Sequence, residues 1–221
     1  MERTLRIAHI ADVHVRGLSR HAEYREVFTD FVKQVKRDAI THIFVGGDIF
    51  HTKTSGISPE YIDFMNWWLT EMASTAEVHL MLGNHDGNLV NMSRQDAITP
   101  IVEALSNKRV HLYKKSGVYE IEPGFNLCIF SLFDEEGWKN VEPKAGSVNI
   151  ACYHGPVWGA HTETGWLIED GLTVDFFSKF DFCFLGDIHK LQFLDFRESE
   201  LEIDEDDLSK YPGAVIVGDV V

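Results

Sequence analysis

Ile43-Phe44-Val45-Gly46-Gly47-Asp48-Ile49-Phe50-His51 is the stretch that decides the fold. It opens as an apolar run, Ile43 to Val45, of the kind expected for a strand buried on both faces of a sheet. Gly46 and Gly47 let the chain turn sharply and bring Asp48 close to another group. In open α/β sheets the crevice beyond the carboxyl ends of the strands is where ligands bind. Asp48 stands at such an end.

Other apolar runs end the same way. Leu5 to Ala11 alternates and runs into Asp12-Val13-His14. On an extended segment that Asp-x-His would put both side chains on one side, because strand periodicity is two. Val78 to Leu82 runs into Gly83-Asn84-His85-Asp86, Val148 to Tyr153 into His154-Gly155, and Phe182 to Leu185 into Gly186-Asp187-Ile188-His189-Lys190. Between the early strands lie helical patterns. Val27, Phe28, Phe31, Val32 and Val35 recur at helical spacing within Glu23 to Asp38. Ser58-Pro59-Glu60 reads as a helix start, with Ser58 as N-cap, followed by a stripe of Tyr61, Ile62, Met65, Trp68, Leu69 and Met72. A helix over Gln95 to Leu105 leads to a strand at Val110 to Tyr113. This order predicts βαβ units and a parallel sheet. From Val118 the chain changes texture. Strands at Val118 to Ile121, Leu127 to Leu132 and Val148 to Tyr153 suggest a second, partly antiparallel sheet packed on the first. A short helix is expected at Val174 to Phe180, and an antiparallel pair of Gln192 to Phe196 with Ala214 to Val217. The expected architecture is one α/β domain over residues 1–221, two packed mixed sheets flanked by helices in four layers.

The chain has 221 residues, 44% of them hydrophobic, which is enough for one large core. No apolar run reaches the ~20 residues of a membrane span, and Met1 to Thr4 leads straight into a strand. Cys128, Cys152 and Cys183 lie in apolar runs and read as buried thiols, so a cytoplasmic location is expected. The net charge of -15 argues against a broad basic face for nucleic acid, although bound cations bring local positive charge. Seven acids between Glu198 and Asp207 read as a solvated loop. Arg16, Arg20, Lys53 and Lys190 are the few cations expected near the strand ends.

The five clusters hold oxygen and imidazole donors and no thiolate. Such donors suit Mn²⁺, Fe²⁺, Mg²⁺ or Zn²⁺ rather than a Cys-rich structural zinc site. Seven ligands, Asp12, His14, Asp48, Asn84, His154, Asp187 and His189, exceed the needs of one tetrahedral ion and fit two neighbouring ions. Asp48 is the expected bridge. His9, His42, His79 and His111 read as structural.

The ordered set Asp-x-His, Gly-Gly-Asp, Gly-Asn-His-Asp, His-Gly and Gly-x-x-His resembles the calcineurin-like metallophosphoesterase superfamily, from Asp12 to His189. Gly47-Asp48-Ile49-Phe50-His51 and Tyr211-Pro212-Gly213 resemble its SbcD-type nuclease branch, including phage-encoded members. The Asp-Arg-Gly and Asn-His-Glu forms of phosphoprotein phosphatases are missing. The resemblance implies a Mn²⁺-dependent exonuclease or endonuclease of DNA repair and recombination. It implies a homodimer that binds DNA and works with an SbcC-type ATPase. Asp12, His14, Asp48 and His189 would hold one ion, and Asp48, Asn84, His154 and Asp187 the other. His85 and Asp86 would be catalytic, with Asp86 orienting His85 or tuning its pKa, and His51 would contact the substrate phosphate. The superfamily usually has His where this chain has Asp187, which biases the second site toward Mn²⁺ or Mg²⁺ over Zn²⁺. The capping and ATPase-binding regions of the branch are expected to be absent. A phosphodiesterase of small nucleotides and a metal-stabilised scaffold are the alternatives.

Overall fold

A computed structural model describes residues 5–16, 19–51, 57–190, 192 and 194, together with the backbone of 215–217. The first half alternates strand and helix: β1 (Ile7–Ile10), α1 (His21–Arg37), β2 (His42–Val45), α2 (Pro59–Ala73), β3 (Glu77–Met81), α3 (Thr99–Leu105) and β4 (Val110–Tyr113). Four strands follow, β5 (Gly117–Glu122), β6 (Phe125–Phe130), β7 (Val148–His154) and β8 (Phe182–Gly186), with 3-10 turns at Glu135–Asn140 and Val174–Phe177. β9 (Val215–Val217) comes last.

The apolar spacings explain the helices. α1 buries Tyr24, Phe28, Phe31, Val32 and Val35. Val27, expected in that stripe, lies at its solvent margin, as Ile62 does on α2. α2 starts as its sequence indicates: Ser58 Oγ accepts from the Tyr61 amide at 3.3 Å, and Pro59 occupies the first turn. α3 starts four residues later than expected. Asp96 Oδ1 accepts the amides of Ile98 and Thr99, at 3.0 and 2.7 Å, so the side chain holds the turn that precedes the helix.

The strands form two sheets, ordered β4-β3-β2-β1-β9 and β5-β6-β7-β8. The first is parallel throughout its described pairs, not mixed as expected. Its helical crossovers require this, because parallel neighbours need a long connection. The second is mixed, with β5 and β6 antiparallel and the remaining pairs parallel. β9 pairs in parallel with β1, Ala8 opposite Val215 and Ile10 opposite Val217; its expected antiparallel partner, Gln192 to Phe196, lies largely outside the described residues. Buried β1 would otherwise leave one edge of its backbone unpaired. The acidic 198–207 stretch, Lys53 and Tyr211-Pro212-Gly213 lie outside the described residues.

Three apolar layers fix the stack. Helix residues Phe28, Phe64 and Trp68 pack on Ile10, Ile43, Val45, Val78 and Leu80 of the first sheet. Phe44 and Met81 meet Leu127, Ile129, Ile150 and Cys152 between the sheets. Phe130, Ala151 and Tyr153 pack against Phe177 and Trp138 on the far side. The order is helices, sheet, sheet and outer turns, so the fourth layer contains 3-10 turns among the described residues. The three cysteines are free thiols.

His42, His79 and His111 stack across β2, β3 and β4, with ring centroids 5.3 and 5.0 Å apart. Burial, with His42 and His111 adding to it, lowers the His79 pKa to about 3. An unfolded histidine titrates near ~6.5, so the unfolded chain binds this proton first. The stabilisation is complete above about pH 6.5 and declines as pH falls toward 3. Urea midpoints should drop across that window. In His79→Phe the slope should be shallower by up to ~1.4 kcal/mol per pH unit. Parallel slopes in the two proteins would sink the assignment.

Candidate active site

The five strand-end clusters converge at the carboxyl ends of β1, β2, β3, β7 and β8. Both sheets contribute. The backbone there is unusual, for Asp12, His14, Asp48, Asp187 and His189 all have positive φ, between 48° and 76°. Non-glycine residues rarely adopt this conformation, and it gathers at functional sites. It also corrects the expected geometry of Asp-x-His. β1 ends at Ile10, so Asp12 and His14 share a side through alternating left-handed residues, not through strand pleating. Asp187-Ile188-His189 beyond β8 repeats the device, with Ile188 buried like Val13.

Backbone hydrogen bonds hold these segments. The amides of Asp12 and His14 donate to the carbonyls of Gly47 and Asp48 at 3.1 and 3.0 Å. The Asp187 amide donates to both carboxylate oxygens of Asp12, at 3.0 and 3.1 Å. Tyr24 Oη donates to the His14 carbonyl at 3.0 Å, and Tyr61 Oη to that of Val15. Glycine permits the closest approaches. A Cβ on Gly47 would come within 2.6 Å of His154 Nδ1, and one on Gly186 within 2.5 Å of the same atom.

Asp48 is central. Its side chain is 1% exposed. Oδ1 accepts from the His85 amide at 2.8 Å and lies 3.3 Å from His154 Nε2. Oδ2 has no hydrogen-bond partner and lies 3.8 Å from His14 Nε2 and 3.9 Å from His85 Nε2. Three donor groups converge closely enough to hold a cation: Asp12, His14 and His189; Asp12, Asp48 and His154; His14, Asp48 and His85. Asp187 Oδ1 lies 3.9 Å from His154 Nε2 but joins none of the three. Asn84 follows β3, one residue before His85.

The imidazoles are oriented for this arrangement. His154 Nδ1 donates to the Gly46 carbonyl at 2.7 Å, which turns Nε2 toward Asp48 and Asp187. His189 Nε2 lies 3.8 Å from Asp12 Oδ1, and its Nδ1 lies 3.7 Å from Glu163 Oε1. Outer partners of this kind fix the tautomer of ligating histidines. Glu163 carries no local sequence signal, because it reaches the site from a loop after β7. Asp86 does not orient His85 as expected. Its oxygens accept from the Phe50 amide at 3.0 Å and the Gly83 amide at 2.8 Å. The ring of His85 is held by the His51 carbonyl, 2.7 Å from Nδ1. The His51 ring itself lies edge-on to His14, with centroids 5.8 Å apart.

The electrostatics suit a cation among these groups. Burial, with Asp48 nearby, raises the Asp86 pKa to about 7. Burial also raises Asp12 and Asp187 and lowers His14 to about 4. Burial opposes charge on His154, but Asp48, Asp12 and Asp187 outweigh it and lift the imidazole to about 9. Asp48 is held below the usual carboxylate range, because His154 and the His85 amide overcome its burial. Three clustered carboxylates, an orphaned Asp48 oxygen and converging Nε2 atoms suit a divalent cation, which would draw down the raised Asp12, Asp86, Asp187 and His154 and hold Asp48 ionised and His14 neutral, the forms that ligate. Asp187→His should change the order of Mn²⁺ and Zn²⁺ affinities, measured by calorimetry. An unchanged order would remove Asp187 from the ligand set.

The calcineurin-like phosphoesterase family profile matches residues 5–197. The chain belongs to this family. Members typically bind two divalent metal ions, and this chain carries the family's phosphoesterase domain. It is 35% identical over 205 residues to the uncharacterized protein R555 of Acanthamoeba polyphaga mimivirus, over 85% of this chain. The chain spans 15% of that relative's length. Among solved structures it is similar to the Pseudomonas putida nuclease MPE, with 17% identity, a TM-score of 0.39, and 72% of this chain and 66% of the other covered. No helix among the described residues of the phosphoesterase is long and apolar enough to cross a membrane.

Proposed function

We propose that this phosphoesterase is a Mn²⁺-dependent DNA nuclease of double-strand-break repair or recombination, working as a dimer with an SbcC-type ATPase. The observation that carries the reading is the position of His51. It closes the Gly47-to-His51 segment, sets its ring against His14, and holds His85 through its carbonyl. The same segment thus supplies a candidate phosphate contact and the group that aims the candidate acid.

Asp12, His14, Asp48 and His189 would hold one ion, and Asp48, Asn84, His154 and Asp187 the second. Such ions, when bound, polarise phosphoryl oxygens and lower the pKa of water toward ~7. The protein's own groups do the rest. His85 Nδ1 is engaged with the His51 carbonyl, so Nε2 is the atom free to exchange a proton. Water adds to phosphorus and releases a proton to solvent, the P–O3′ bond breaks, and the departing O3′ takes the Nε2 proton of the imidazolium form of His85, which solvent then restores. Asp86 ties the loop after β2 to the loop after β3, which fixes Asp48 and His85 relative to each other.

His85→Ala should keep its metal affinity and lose about two to four orders of magnitude in turnover. Calorimetry and steady-state rates together check this. Weakened metal binding would make His85 a ligand instead, as its grouping with His14 and Asp48 allows. Mn²⁺-dependent hydrolysis of linear duplex DNA, single-stranded DNA and a chromogenic phosphodiester tests the function. Cleavage of the ester alone selects a small-nucleotide phosphodiesterase, which the net charge of -15 favours.

A further inference from the structure

Beyond β7 the chain forms a hairpin that the hydrolytic chemistry leaves unused. Thr162 donates its amide to the Trp166 carbonyl at 2.9 Å, and the Trp166 amide donates to Thr162 Oγ1 at 3.1 Å. His161 pairs with Leu167 in antiparallel fashion. The hairpin is fastened to the site at two points. Its root follows His154, where the Gly155 amide donates to the Gly186 carbonyl at 3.3 Å. Its tip carries Glu163, whose carboxylate lies 3.7 Å from His189 Nδ1. Trp166, opposite Thr162, is therefore within a few residues of a candidate ligand. Yet Trp166 is 77% exposed and Trp158, on the same hairpin, 52%. Two large rings left in water on one short segment, one of them three residues from the carboxylate that meets His189, offer apolar faces to a ligand.

Charge narrows the occupant. A nucleic-acid substrate is anionic, and the chain carries -15. The described cations at the rim are few: Arg20 is paired with Glu23 at 2.8 Å, leaving Arg16 and Lys190. Glu163 adds a negative charge at the hairpin tip. Phosphate neutralisation by Lys and Arg, the usual source of grip, is scarce here. Stacking of bases on aromatic rings works without charge and contributes about 1–3 kcal/mol per base.

We infer that Trp166 and Trp158 form a stacking platform for unpaired bases, so that the substrate enters the site as a single strand or a frayed end. This rests on the nuclease reading above. Paired bases keep their faces stacked within the duplex, and an unpaired base offers a face to an exposed indole. The specificity this confers is for strandedness rather than sequence, since every base has a π-face.

The test is binding of a fluorescein-labelled single-stranded oligonucleotide to the full chain, with Ca²⁺ in place of Mn²⁺ to suppress cleavage. An oligonucleotide of the same length with abasic sites is the control. Trp166→Ala and Trp158→Ala should each weaken binding about 5- to 150-fold, the equivalent of one lost stack. Trp166→Phe should retain most of it, and the abasic strand should bind the parent as poorly as the base-bearing strand binds the alanine variants. Hydrolysis of the chromogenic phosphodiester should stay within about twofold, because that substrate lacks a base. Parental affinity in both alanine variants would overturn the inference, as would equal binding of the abasic strand. So would a loss of self-association with oligonucleotide binding intact, which would make the hairpin a contact between copies. The two readings fail separately. A parent that cleaves the ester but ignores these substitutions loses the platform and keeps its hydrolytic site. A parent that binds through the tryptophans but cleaves nothing keeps the platform and loses the nuclease reading.

Discussion

Asp48→Asn should abolish metal-dependent stabilisation and lower kcat/KM by about three orders of magnitude or more. The carboxylate sits 1% exposed among the Nε2 atoms of His14, His85 and His154, at 3.8, 3.9 and 3.3 Å. Its two oxygens divide the work. Oδ1 accepts the His85 amide at 2.8 Å, and Oδ2 has no hydrogen-bond partner. An asparagine oxygen can replace Oδ1 and keep that hydrogen bond. Its amide then falls where Oδ2 was, and an N–H group there cannot coordinate a cation. Losing an outer partner of a metal ligand costs about 10–100-fold in affinity, and a lost ligand should cost more. In the parent, a cation at a hundredfold over its Kd adds ~2.7 kcal/mol to stability. That is a rise in Tm of roughly 5–10 °C for a domain of this size. Thermal melts with and without Mn²⁺ should show this rise in the parent and none in the variant. An equal rise in both would remove Asp48 from the centre.

Gly83→Ala should disrupt the same centre from behind. A Cβ at Gly83 would overlap Asp48 Oδ1 and the Asp48 amide nitrogen, and would lie 2.8 Å from His154 Cε1. The backbone nitrogen cannot swing aside as a flexible side chain can. Relief requires the loop after β2 to move away from the loop after β3. That movement would break the hydrogen bonds of the Phe50 amide to Asp86 and of the His85 amide to Asp48. Overpacking of this kind costs about 3 kcal/mol or more, with a Tm fall of roughly 6–12 °C. Gly117→Ala is the control, since its Cβ would meet Tyr119 at an ordinary 3.4 Å. Melts in chelator isolate the packing cost from metal binding. Parental stability of Gly83→Ala there would sink the argument.

Much of the fold is legible because each polar cluster directly follows an apolar run. A buried strand announces its end when acids, amides and imidazoles begin. The helices were equally clear where apolar spacing and a cap agreed, as at Ser58-Pro59. Other features had no local signal. The left-handed torsions at Asp12, His14, Asp48, Asp187 and His189 fall on residues that tolerate many conformations. The carbonyls of Gly46 and His51, which orient His154 and His85, belong to the backbone that every residue shares. Glu163 reaches His189 from a loop whose path depends on the hairpin around it. The pairing of β9 with β1 has no local signal either, because a three-residue strand says nothing about which open edge it will find.

The hydrogen bonds from the Asp187 amide to Asp12 join residues 175 apart in the chain, as does the contact between His14 and His189. They are among the longest-range contacts in the molecule. Strands β1 to β4 can form through neighbouring strand–helix–strand units, and β5 with β6 through a short turn, each closing a small loop. Joining Asp12 to Asp187 closes a far larger one, at an entropic cost that local contacts must already have offset. A chain folded in only one of its sheets would therefore hold only part of the donor set. Assembly of the donor set coincides with completion of the global topology, so a form with one sheet unfolded would not bring all the candidate ligands together.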